Sequence, residues 1–215
     1  MQTMNTQRRT PRFLPLFAAA VIALALLAGW YYWRQRAAAP PRNAPGMALA
    51  GADIGGPFSL VDQNGRTFTD KDLRGRYALI HFGYSFCPDV CPTDLQRMTQ
   101  ALAAFERSDP RHAAKVQPVF VTIDPERDTP RALANYAKNF HPRLVALTGS
   151  PAAITAMEKS YRVYAAKVVP EKGQDYLMNH SDVTYLFGPD GRPLAGMDSK
   201  ASAAEMAAML KAYVR

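Results

Sequence analysis

The sequence predicts an α/β protein: a mixed sheet flanked by helices, preceded by one N-terminal transmembrane helix. Three observations predict it. An uncharged apolar run lies near the N-terminus, strand-like apolar runs alternate with helix-period stripes through the middle, and a hairpin pattern comes near the end of the chain.

Phe13–Trp33 is an unbroken stretch of 21 residues without a charge, and about 20 apolar residues let a helix cross a bilayer. Arg8, Arg9 and Arg12 precede it, Arg34 and Arg36 follow it, and Trp30, Tyr31, Tyr32 and Trp33 make an aromatic belt at one edge. Ala37-Ala38-Ala39 would suit a signal peptidase, but the apolar stretch exceeds the roughly 7–15 residues of a cleaved signal. An uncleaved anchor is therefore expected. The arginines on its two sides balance, and the N-terminal amine tips the orientation toward an inside N-terminus. Residues 1–12 then form a short cytoplasmic segment, 13–33 the anchor, 34–52 a linker and 53–215 the exported domain. The expected location is the bacterial inner membrane with the domain in the periplasm. The alternative is the mitochondrial inner membrane, facing the intermembrane space.

The formal net charge of +8 belongs mostly to the membrane end. Residues 1–42 carry six arginines and no acid, which leaves 20 basic and 18 acidic groups in the remainder, a balance of +2. No basic stripe with interleaved aromatics occurs there, so nucleic acid is not an expected partner.

The stretch around Pro40-Pro41-Arg42-Asn43-Ala44-Pro45-Gly46 is rich in Pro, Ala and Gly and reads as linker. Phe58–Val61 and Arg66–Thr69 flank Asp62-Gln63-Asn64-Gly65, an Asn-Gly hairpin signal. Tyr77–Gly83 is a nearly continuous apolar run, as a strand buried on both faces requires. Leu95, Met98, Leu102 and Phe105 then recur at helical spacing. Val116–Ile123 predicts a second buried strand, 131–140 a helix, 144–147 a short strand, and 152–161 a helix opened by Ser150-Pro151. Val183–Phe187 and Pro193–Met197 flank Gly188-Pro189-Asp190-Gly191 as a closing hairpin, and 202–214 is a last helix. Alternation in the middle implies parallel pairing and the closing hairpin antiparallel pairing, an order that fits a thioredoxin-like architecture.

The two cysteines, Cys87 and Cys91, stand in Cys-Pro-Asp-Val-Cys-Pro between the first buried strand and its helix. Free amides and the positive dipole end of a helix favour a thiolate there. Three readings compete: a structural disulfide, a redox dithiol, and two thiolate ligands of a soft metal. A bridge over four residues would gain little chain entropy, and redox pairs usually have two intervening residues where this pair has three. Thiolates suit Cu(I), and imidazole can join when the ion is Cu(II). Of the four histidines, His81 within the strand reads as a satisfied core residue, and His112 and His141 read as exposed connectors. His180 lies in a polar loop just before a strand, a position where functional side chains are often carried. By itself that does not make it a ligand. Asp124, after the second buried strand, and Asp89, between the cysteines, are candidates to support the site from behind any ligands. Each has an ordinary reading as well, Asp124 as a loop cap and Asp89 as a helix-start acid.

With these segments assembled, the chain resembles the Sco (SenC) family of copper proteins that assist assembly of the dinuclear copper centre of cytochrome c oxidase. The match is carried by Phe82–Leu95 around the cysteines, Val121-Thr-Ile-Asp-Pro-Glu-Arg-Asp-Thr-Pro130, Leu147-Thr-Gly149, Tyr161-Arg-Val-Tyr164, Asn179-His-Ser181 and Tyr185–Gly191, in the family's order. The resemblance implies a thioredoxin fold, a membrane anchor, and copper held by Cys87, Cys91 and His180. Asn179 stands where many relatives have Asp, so a negative charge beside the site is missing. The expected role is a metallochaperone that breaks no substrate bond. It delivers copper, Cu(I) or Cu(II), to the copper-accepting subunit of cytochrome c oxidase and is served by an upstream copper donor or thiol reductant. The alternative is a thiol-disulfide reductase that keeps the acceptor's ligand cysteines reduced, with Cys87 or Cys91 as the attacking thiolate. A third reading is a peroxidase-like or redox-sensing relative whose thiolate oxidises to sulfenic acid.

Overall fold

The computed structural model describes residues 14–38, 45–169, 175–198 and 200–215, which fall into an N-terminal unit and a larger unit starting at Pro40. In the first, Leu14–Ala38 forms helix α1. Its described side chains include exposed Val21, Ile22, Leu24, Leu26, Leu27 and Trp30. Among the residues whose side chains are described, no helix is long and apolar enough to cross a membrane. Residues 1–13 and part of the expected linker lie outside the described residues.

The second unit is built on an eight-stranded mixed sheet. Its strands in chain order are β1 (Met47–Ala48), β2 (Ser59–Asp62), β3 (Thr67–Thr69), β4 (Tyr77–Gly83), β5 (Val116–Thr122), β6 (Val145–Thr148), β9 (Val183–Phe187) and β10 (Pro193–Asp198). Two strands between β6 and β9, β7 (Ala165–Val168) and β8 (Leu177–His180), pair only with each other, antiparallel. The large sheet runs β1-β10-β9-β4-β5-β6-β2-β3. Only β4, β5 and β6 pair parallel to one another, because the helices between them return the chain to the same end of the sheet. The helices are α2 (Val90–Ser108), α3 (Pro110–Ala113), α4 (Pro130–Ala137), α5 (Pro151–Ser160) and α6 (Ala203–Tyr213).

Every residue of β4 and of β5 is buried, as expected of central strands covered on both faces. Side-chain alternation sends Leu79 to one core with Leu95, Met98, Leu102 and Phe105 of α2, and Ile80 and Phe82 to a second core with Cys87, Cys91, Tyr161 and Tyr185. Burying a Leu, Ile or Phe side chain of this kind contributes roughly 1.5–3 kcal/mol each. Helix starts follow their signals. Thr129, Ser150 and Ser202 accept the N–H of Ala132, Ala153 and Glu205, and Pro130 and Pro151 occupy first helical positions.

Three features depart from the sequence expectation. Met47–Ala48, inside the stretch read as linker, pairs with Ala195 and Gly196 of β10, and Leu49 is buried. His180 ends a strand rather than sitting in a loop. The strand was not legible because a two-stranded ribbon outside the main sheet buries neither face fully, so it shows no apolar alternation. His141, read as exposed, is 5% exposed. Glu106 and Thr99 satisfy its ring nitrogen Nε2 and its backbone N–H, while its Nδ1 accepts the N–H of Arg143.

Candidate metal centre

The end of β4 and the start of α2 bring the cysteines together. Cys91 is the second residue of α2, and its backbone N–H points at Cys87 Sγ at 3.4 Å. Cys87 sits in the preceding turn, its own N–H on the carbonyl of Tyr84 at 3.3 Å. Both thiols are free and buried. The chain must turn tightly there. A Cβ on Gly83 would lie 3.1 Å from Cys91 Sγ, so any larger residue at the end of β4 would press on that sulfur.

The two sulfurs are electrically unequal. The Cys91 side chain hydrogen-bonds to Cys87 and, with the backbone N–H groups of Cys91 and Asp89, holds Cys87 down at about 5 despite its burial. The same contact, with burial, drives Cys91 strongly up. The pair as a whole favours a single thiolate, with Cys87 the sulfur pushed toward that form and Cys91 the one pushed away from it.

His180 reaches this pair from the β7–β8 ribbon. Its Nδ1 meets the carbonyl of Ser181 at 2.8 Å, and since a carbonyl can only accept, Nδ1 carries the proton. Nε2 is the nitrogen turned to the cysteines, 3.4 Å from Cys91 Sγ. The ring packs edge-on against Tyr84, centroids 6.2 Å apart. Tyr84, Cys87, Asp89, Val90, Met178 and His180 line one shallow cavity of about 280 Å³, so Cys87 and His180 open onto it while Cys91 is fully buried. Two sulfurs and one imidazole nitrogen, with the nitrogen's tautomer fixed, form a donor set suited to a soft metal.

Asp89 precedes α2 but makes no side-chain cap. It is exposed at the cavity wall and acts through its backbone. Asp124 is 2% exposed and ion-paired to Arg127, and Tyr176 donates its O–H to it at 2.8 Å. Sequence reasoning missed Arg127. Its Nη1 donates to the Tyr176 carbonyl at 2.9 Å, and its guanidinium lies 3.7 Å over the Tyr176 ring and 4.9 Å over Phe86. Arg127 thus joins the cysteine turn, through Phe86, to the segment leading into β8 and His180. Asp128, equally unpredicted, is fully buried and accepts the N–H and O–H of Ser85 and the O–H of Thr122, which pins the turn before Cys87 to the end of β5. Both residues stand in Asp124-Pro125-Glu126-Arg127-Asp128, and the signal available was that this motif follows a buried strand next to the cysteine strand.

His112 is half-buried and pairs with Asp109 at 2.7 Å, away from the cysteines. His81 is buried, but only half satisfied: Nδ1 lies 3.1 Å from Thr184 Oγ1, and Nε2 has no partner.

Fold and geometry define a thioredoxin-like domain carrying two cysteines and a histidine at one strand-to-helix junction. A family model described as SCO1/SenC matches residues 47–215, and the chain belongs to that family. Among curated relatives, "Protein SCO1 homolog, mitochondrial" of Mus musculus is 38% identical over 191 residues, covering 89% of this chain and 66% of that protein. The chain therefore spans just under two thirds of that relative's length. Among solved structures, Bradyrhizobium japonicum ScoI with copper bound is 47% identical, with a TM-score of 0.67 over 75% of this chain and 99% of that one. Arabidopsis thaliana ScoI with copper bound is 38% identical, with a TM-score of 0.69 over 74% of this chain and 96% of that one.

Proposed function

We propose that the chain is a membrane-anchored copper chaperone that carries one copper ion on Cys87, Cys91 and His180 and passes it to the copper-accepting subunit of cytochrome c oxidase during assembly. The observation that carries this reading is His180 Nε2, turned to Cys91 Sγ while Nδ1 is held by the Ser181 carbonyl. A reductase has no need of an imidazole fixed in this orientation beside its thiols. Family membership and relatives solved with copper bound support the same metal here.

The transfer follows from the site's chemistry. The Cys87 thiolate takes the soft ion first, Cys91 gives up its proton as it joins, and His180 completes a three-coordinate shell. The shallow cavity gives an acceptor's ligands access to Cys87 and His180, so these donors are replaced first and buried Cys91 last. Arg127 and Asp128 hold the turn and the ribbon so that the donors need little rearrangement. Anchoring is supported by the uncharged 13–33 run and by the exposed apolar side chains along α1. With the N-terminus inside, the domain faces the periplasm, an oxidising compartment in which the cysteine pair has to be kept reduced by a thiol donor.

One observation favours a second reading. A Cys87 pushed toward the thiolate beside a Cys91 pushed toward the thiol is also the arrangement of an attacking and a resolving cysteine. As a thiol-disulfide reductase, Cys87 would attack an acceptor disulfide and form a mixed disulfide. Cys91 would then displace the acceptor's second thiolate and leave this chain oxidised for an external thiol to reduce. His180→Ala separates the two: delivery of copper to the acceptor fails if transfer is the function, whereas acceptor disulfide reduction continues if reduction is.

A further inference from the structure

A second group of metal-competent side chains converges from the same elements that build the cysteine site. One ring nitrogen of His81 and one carboxylate oxygen each of Asp94 and Asp182 lie within 4.8 Å of one another. His81 is 1% exposed and Asp94 5%, and Asp182 is half-buried. His81 faces this way because alternation along β4 puts it on the Leu79 side, toward α2, where Asp94 lies one turn beyond Cys91.

The group is not satisfied from within. His81 Nε2 and Asp94 Oδ2 are buried and have no hydrogen-bond partner among the described residues. A polar atom buried without a partner is destabilising, and two in one cluster call for a missing partner. Asp94 Oδ1 is paired with Arg97 at 2.8 Å. Burial beside Asp182 raises Asp94 to about 7, so near neutral pH the two carboxyl groups hold a proton part of the time, and a cation would take that proton's place. Thr184 Oγ1 holds His81 by Nδ1, the arrangement that orients the opposite nitrogen of a metal-bound histidine.

We propose that His81, Asp94 and Asp182 form a second cation site, separate from the cysteines and histidine of the copper centre, for a divalent first-row metal such as Zn2+. One nitrogen and two carboxylate oxygens make a harder donor set than two sulfurs, so Cu(I) is not its ion. Bonds of about 2.0–2.2 Å fit these donors after a small inward movement, with water completing the shell. Asp182 also lines the cavity that opens over Cys87 and His180, which gives the ion a way in. The bound ion would tie β4, α2 and the segment after β8 together; the first two carry Gly83 and Cys91, and the third directly follows His180. The inference does not depend on what the cysteine site does.

The test uses the full chain in detergent, loaded with one equivalent of Cu(I) and then titrated with Co2+ as the spectroscopic probe. The site predicts one further equivalent with ligand-field bands of oxygen and nitrogen donors and no thiolate charge transfer, together with a rise in unfolding temperature on Zn2+ addition. His81→Gln and Asp94→Asn should each weaken this binding by about tenfold or more. If His81→Gln does not fold, Asp94→Asn and Asp182→Asn decide. No further equivalent, a thiolate band, or affinity indifferent to these substitutions would overturn the site and leave a cluster that merely shares protons. Should Cu(I) not be retained, the same titration on a Cys87→Ser, Cys91→Ser chain keeps the two claims separate.

Discussion

His180 Nε2 lies 3.4 Å from Cys91 Sγ although 89 residues separate them in the chain. The contact depends on a ribbon that is not part of the main sheet. What holds that ribbon therefore decides how well the site is formed.

Arg127 is the principal tie, bonded to Asp124 and to the Tyr176 carbonyl and stacked on Tyr176. Arg127→Ala should leave both cysteines in position and free His180 to wander. Cu(I) affinity measured by chelator competition should fall about 10–100-fold, as for the loss of a residue that orients a ligand. Unchanged affinity would remove Arg127 from the site.

Cys87 is held at about 5, first by its hydrogen bond from Cys91. Its thiolate is present above that pH and lost below it, so alkylation of Cys87 should reach half its plateau rate near pH 5. Cys91→Ala removes the largest cause and should move the midpoint up toward the ordinary thiol range. A midpoint near the ordinary range in the unaltered chain would contradict the unequal pair.

Gly83→Ala puts a methyl group 3.1 Å from both Cys91 Sγ and the Phe120 ring. Overpacking of this kind costs about 1–3 kcal/mol. Denaturant unfolding should show that loss, and copper affinity should drop with it because Cys91 is the atom displaced. Full stability with full affinity would mean that α2 can shift freely.

Asp94 is raised to about 7, chiefly by burial. A carboxyl group whose folded pKa lies above its unfolded one binds more protons when folded. Its stabilising contribution is complete below about pH 4 and is lost as pH rises through about 7. In chelator, Asp94→Asn should remove that part of the decline in unfolding temperature between these values. Parallel profiles for the two chains would contradict the burial of this group as a carboxyl.

Much of this was legible in the sequence. Tyr77–Gly83 and Val183–Phe187 form strands over the residues their apolar runs mark, and the Leu95, Met98, Leu102, Phe105 stripe faces the core, because burial on a regular element imprints its period. The cysteine pair was readable as a strand-to-helix junction from its flanking segments. Arg127 and Tyr176 were not, since their stacking is a contact across 49 residues between segments of no particular periodicity. His81 reads as an ordinary core residue, and only the approach of Asp94 and Asp182 shows that its second nitrogen lacks a partner.

The most direct test of the central claim is titration of copper into the reduced full chain and into His180→Ala, following thiolate-to-Cu(II) absorption and electron spin resonance. The account predicts one equivalent bound tightly in the unaltered chain, with a nitrogen contribution to the spectrum that disappears in the variant while binding weakens. Absence of tight binding, or spectra and affinity identical in the two chains, would contradict copper transfer through Cys87, Cys91 and His180 and leave the reductase reading in its place.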